Sequence, residues 1–144
     1  MKEIIENLVE THYNLTSLIL SIKQHDDEVN LEDYEIKYIN DSYLNVVKAL
    51  ETLIVSNAVT TTVLKSYYTQ ILKRKLELMF DECDEMPISL DDEESMLKKI
   101  DDIYNVDIDE SLTADECVLL DLAVEYKICL NVLDKIEDVY STLL

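Results

Sequence analysis

Residues 105–116, Asn-Val-Asp-Ile-Asp-Glu-Ser-Leu-Thr-Ala-Asp-Glu, concentrate the residue types that could do chemistry in this chain. Asn105, Asp107, Asp109, Ser111, Thr113 and Glu116 put an oxygen-bearing side chain at positions one, three, five, seven, nine and twelve of the stretch. Calcium takes about six to eight oxygen ligands, and this alternation is one way for a loop to supply them. The same residues carry a second chemistry. Thr113 followed by Glu116 is the spacing at which a hydroxyl and a carboxylate satisfy the free N–H groups at a helix start.

Over these twelve residues the first arrangement resembles an EF-hand loop, with apolar Leu112 at the eighth position and helices expected on both sides. Two positions depart from that pattern. Glu110 stands where the loop needs glycine for a left-handed turn, which costs on the order of 1 kcal/mol or more for a residue with a Cβ. Asn105 replaces the usual first aspartate, and no second loop is present to form a pair. The helix-start reading requires no such exceptions. We therefore expect residues 105–116 to open a helix and to hold no metal.

Other chemistry is sparse. His12 falls on an apolar stripe, where histidine is more often a core residue than a ligand. His25-Asp26 is superficially similar to the dyad of HD phosphohydrolases, but the additional histidine and aspartate pattern is not evident. No Glu-x-x-His pair exists for helical di-iron chemistry. Glu93-Glu94 lacks the further glutamate that helical nucleotide pyrophosphohydrolases place three positions on, because Leu97 stands there. No cysteine or serine has an identifiable base partner. The expectation is a protein without a catalytic site or cofactor.

The 144 residues contain no glycine and one proline, Pro87, while 48% are apolar. Tight β-hairpins and phosphate-cradling loops draw on glycine for positive φ, so both are disfavoured. Apolar spacing of three and four predicts an all-α single domain, a compact bundle of about five helices. Their expected spans are 3–25, 33–55, 61–81, 90–104 and 114–143. The last has the longest seam: Leu119, Leu122, Tyr126, Cys129, Leu133, Ile136, Tyr140 and Leu143. The third, apolar around much of its girth, is expected to be central. Ser89 with Asp92 is expected to cap the fourth. "SNAVTTT" (56–62) reads as a turn or kink.

Formal net charge is −20. Residues 81–116 hold fifteen acids and two lysines, a net of −13. Such a surface repels nucleic acid and anionic lipid and attracts basic protein surfaces. Lys73-Arg74-Lys75 is the one concentrated positive patch, and pairing with the chain's own acids is expected. No apolar run approaches the roughly 20 residues of a membrane span. Cys83, Cys117 and Cys129 have no metal-binding or redox spacing, so buried thiols in a cytoplasmic protein are expected.

These features point to a non-enzymatic binding protein that occupies a basic surface of a partner protein. Its expected contacts are Asp91, Asp92, Glu93, Glu94, Asp101, Asp102, Asp107, Asp109 and Glu110. Small acidic inhibitors of nucleic-acid-binding proteins or nucleases, such as phage anti-restriction and anti-CRISPR proteins, and toxin immunity proteins share this charge and size. The alternative is a cytosolic chaperone or adaptor whose apolar groove holds a partner helix. Homo-oligomerisation is compatible with either. Tyr34, Tyr38 and Tyr104 are the expected exposed aromatic anchors.

Overall fold

A computed structural model describes residues 2–24, 31–81, 88–106 and 111–143, with side chains described as far as residue 139. The described residues form five helices and no strand: α1 (Lys2–Gln24), α2 (Asp33–Val55), α3 (Thr61–Met79), α4 (Glu93–Tyr104) and α5 (Ala114–Leu143). The sequence expectation of an all-α bundle holds.

Short polar side chains set the helix boundaries. Thr60 caps α3 by accepting the Val63 N–H at 3.2 Å. At the head of α5, Thr113 Oγ1 accepts the Glu116 N–H at 3.1 Å, and the Glu116 carboxylate accepts the Thr113 N–H at 3.2 Å. This is the reciprocal capping read from the sequence. Glycine-free, the chain ends α2 on asparagine instead. Asn57 adopts φ 61°, its N–H donates to Ile54 and that of Ala58 to Leu53. That pair of bonds closes a helix C-terminus, and asparagine is one of the few residues to take the left-handed position readily.

The start of α4 differs from expectation. Asp92, not Ser89, is the cap, accepting from the Glu94 N–H at 3.1 Å and the Ser95 hydroxyl at 2.8 Å. Ile88 is buried and Leu90 packs partly against the core, so the chain is anchored by its apolar residues before the helix begins.

The core runs along α5. Leu119, Leu122, Ala123, Tyr126, Cys129, Leu133 and Ile136 are buried on it. Each of α1, α2, α3 and α4 packs against α5. The expectation that α3 is central is thus corrected: its main packing partners are α1 and α5, and Leu78 and Met79 are 77% and 55% exposed at its end. The apolar residues of α2 are only partly interior. Leu50 and Ile54 are buried, whereas Ile36 is 38% exposed.

Polar groups occupy the middle of this core. His12 is fully buried on α1, with Nδ1 2.6 Å from the Tyr68 hydroxyl of α3 and Nε2 3.4 Å from that of Tyr43 on α2. A neutral ring satisfies both contacts, accepting at one nitrogen and donating from the other. The Cys129 thiol of α5 reaches Thr16 Oγ1 at 3.6 Å, and Thr16 donates to the His12 carbonyl. The imidazole therefore meets two phenols, while the Thr16 hydroxyl and Cys129 thiol continue the polar chain from the His12 backbone carbonyl. Burial pulls His12 down from its ordinary value to about 4, because the charged ring would lose its hydration.

Unfolded histidine titrates near 6.5. A base whose folded value lies below its unfolded one contributes fully above that value, and its contribution is lost as pH falls through 6.5 towards 4. The separation corresponds to roughly 3 kcal/mol. Urea unfolding of the wild type should therefore weaken between pH 7 and 4 relative to His12→Gln by an amount of that order. Parallel pH profiles for the two chains would show that His12 is not held neutral by the fold.

Candidate functional site

Asp91, Asp92, Glu93, Glu94, Asp101 and Asp102 are all exposed, at the N-terminal approach to α4 and along its outer surface. The helix presents them because Met96, Ile100 and Ile103 turn its apolar stripe into the core against α5. The moderate length of α4 fits this division, with three buried residues holding an otherwise charged helix. Asp107, Asp109 and Glu110, the remaining expected contacts, lie outside the described residues.

Within this set two carboxylates have structural partners. Asp92 is the α4 cap. Asp101 forms an ion pair with Lys127 of α5, whose ammonium also lies 5.8 Å from the centre of the Tyr104 ring. The α4 surface is not uniformly negative, since Lys98 and Lys99 are exposed between the two groups of acids. Asp91 and Glu93 line an open groove of about 300 Å³ whose opposite wall carries Lys73 of α3. Pairing of the basic cluster with the acids at 82, 84, 85, 107, 109 and 110 lies outside the described residues. Among the described residues the cluster makes no ion pair with residues 88–106, and Lys75 instead lies 5.1 Å over the Tyr13 ring.

A second surface was not anticipated. Towards the end of α1 and the start of α2, Ile19, Ile22, Lys23, Ile36, Ile39 and Asn40 line an open groove of about 330 Å³. Its four isoleucines recur at three-residue spacing on each helix, the interval at which an apolar seam is expected. The signal that separates it from the core is the placement of buried residues: on α1 they stop at Thr16, and on α2 they are Leu50 and Ile54. Tyr34 and Tyr38, 73% and 74% exposed as expected, are one turn apart on α2. Their helical phase sets them away from Ile36 and Ile39. Tyr104 is 40% exposed.

Among the described residues no cluster of three or more His, Cys, Asp or Glu could hold a metal. Cys129 is buried and its thiol is pushed up to about 12 by burial, which opposes thiolate formation. Cys117 is exposed, a correction to the expectation of buried thiols, and Cys83 and His25-Asp26 lie outside the described residues. No described helix is long and apolar enough to cross a membrane. Comparison with protein-family models, curated proteins and solved structures gives no match.

At Thr113 and Glu116 the capping chemistry is the one observed, while residues 107–110 lie outside the described residues. Hydrogen bonds from Thr113 hold the Glu116 carboxylate below its ordinary value and occupy the group that would close a calcium loop. Calorimetry near neutral pH should show no stoichiometric calcium binding. A site tighter than about 10 µM, in the range of calcium sensors, would overturn this assignment.

Proposed function

We propose that this chain is a non-enzymatic protein that occupies a basic surface of a partner protein, with α4 as the contact surface. The observation that carries the reading is the exposure of all six described carboxylates from Asp91 to Asp102 in a chain of net charge −20. A field of that size steers a cationic surface from a distance and excludes nucleic acid as a direct ligand. The partner class that fits is a nucleic-acid-binding protein or nuclease, whose binding surface is built for an anion. Inhibition then follows from occupancy of that surface, as with a phage anti-restriction or anti-CRISPR protein or a toxin immunity protein. An intracellular setting goes with such a target.

Energetics shape the test. An exposed ion pair contributes only about 0.2–1 kcal/mol, so single substitutions at Asp91 or Glu94 should change little. A chain with Asp91→Asn, Asp92→Asn, Glu93→Gln, Glu94→Gln, Asp101→Asn and Asp102→Asn together should associate with the partner markedly more slowly. The partner would first be captured from host lysate at low salt and identified by mass spectrometry. Association rates for both chains would then be compared at about 50 and 500 mM salt, where the Debye length contracts severalfold. The proposal expects a large rate difference at low salt that collapses at high salt. Equal rates and affinities across that range would eliminate it.

The α1–α2 groove favours a second reading, a chaperone or adaptor that holds a partner helix on apolar side chains. Such binding persists at high salt, so the same salt series separates the two.

A further inference from the structure

We infer that the groove between the first half of α1 and the middle of α3 is a binding site for a small zwitterion of the α-amino-acid type. Glu6, Asn7 and Glu10 of α1 line it with Tyr67, Gln70, Ile71 and Arg74 of α3, around an open volume of about 330 Å³. That volume lies at the lower end of the range of small-molecule sites. Glu6 and Glu10 are one turn apart on α1, and Gln70 and Arg74 are one turn apart on α3, so each helix presents its polar groups as a short row. Half-buried Tyr67 and buried Ile71 supply the apolar part of the lining.

Charge defines the ligand. Of the basic cluster, Lys73 lines the groove between α3 and α4 and Lys75 lies over the Tyr13 ring, so Arg74 is the member that reaches this groove. Glu6 is 3.9 Å from Lys2. Glu10 and Arg74 are both exposed, and among the described residues neither forms an ion pair although they line one groove. One free carboxylate and one free guanidinium are the complement of one ammonium and one carboxylate. The ligand's ammonium donates to Glu10, and its carboxylate accepts two N–H donors from Arg74, the paired geometry that a guanidinium favours. The Asn7 and Gln70 amides both donate and accept, which suits a polar ligand side chain. The field of a −20 chain attracts any cation, but a simple cation would leave Arg74 without a partner and a simple anion would meet Glu10.

The test titrates the isotope-labelled full chain with three probes and follows its backbone amide NMR signals. The probes are L-asparagine, its carboxamide, which is a cation, and N-acetyl-L-asparagine, which is an anion. Asparagine should shift the signals of Asn7, Glu10, Gln70 and Arg74 saturably, with a Kd of about 1 mM or tighter. Each blocked probe lacks one of the two charges and should bind about tenfold more weakly or worse.

Arg74→Gln is the decisive variant. It makes the chain more negative, so unspecific attraction of a cation would strengthen, whereas asparagine should bind about tenfold more weakly. Glu10→Gln makes the chain less negative and should weaken asparagine binding by a similar factor. Both positions are exposed, and the dispersion of the remaining signals would confirm that each variant is folded. The chain with all six α4 carboxylates neutralised should bind asparagine as the wild type does, which separates this site from the α4 surface. Shifts that do not saturate, or that spread over the whole acidic surface, would overturn the inference. So would a carboxamide that binds as tightly as asparagine, or an unchanged asparagine affinity in either groove variant.

Discussion

Burial of one apolar seam on α5 is the constraint on which the rest of the molecule depends. Leu119, Leu122, Tyr126, Cys129, Leu133 and Ile136 recur at three and four residues and are all removed from water. A thirty-residue helix extends about 45 Å, long enough for four other helices to share one side of it. With α5 contacting each of them, the loss of a residue such as Leu133 would open a cavity between several helices at once. Truncations of this kind typically cost about 2–5 kcal/mol. No glycine-dependent turn is needed, because caps made by Thr60, Asp92 and Thr113 and the left-handed Asn57 organise the described helix ends.

That arrangement sorts the charge. A chain of net charge −20 cannot place carboxylates among these side chains without severe desolvation, so α4 holds to α5 by three buried residues and turns its acids outward. The polar groups that do enter the core are weakly ionised at neutral pH. His12 is kept neutral, Cys129 is kept a thiol, and burial raises Tyr13, Tyr68 and Tyr126 above the ordinary phenol range. The hydrogen bonds of His12 to Tyr68 and Tyr43 tie α1 to both α3 and α2. Tyr68, Thr16 and Cys129 thus make a polar layer whose members hold each other in register.

Much of this was legible in the amino-acid sequence because periodicity and capping are local. The spans of α1, α2 and α5, the capping of α5 by Thr113 and Glu116, and the exposure of Asp91–Glu94 follow from spacing alone. What periodicity does not encode is how far a neighbouring helix extends. Ile36 and Ile39 match Leu50 in helical phase, yet Leu50 is buried while the two isoleucines line an open channel. Likewise Leu78 and Met79 are exposed although Leu76 before them and Phe80 after them are buried, so they sit on the outer face at the end of α3. The cap of α4 is Asp92 rather than Ser89, and the stretch before it is held to the core by the buried Ile88. The cationic side chain of Lys75 sits over Tyr13, a contact between distant parts of the chain that no local pattern announces.

The central claim is that the α5 seam holds the fold and that the α4 carboxylates add little to it beyond the Asp92 cap and the exposed Asp101–Lys127 pair. Equilibrium urea unfolding of the chain with the six α4 acids neutralised, at low and at physiological salt, tests this most directly. The account predicts a single cooperative transition at a urea midpoint equal to or above that of the wild type. Relief of self-repulsion should offset the Asp101–Lys127 pair, which contributes only about 0.2–1 kcal/mol, while asparagine at 92 caps as well as aspartate. A loss of more than about 2 kcal/mol, well beyond what exposed pairs supply, would contradict the account by showing that these carboxylates are part of the fold itself.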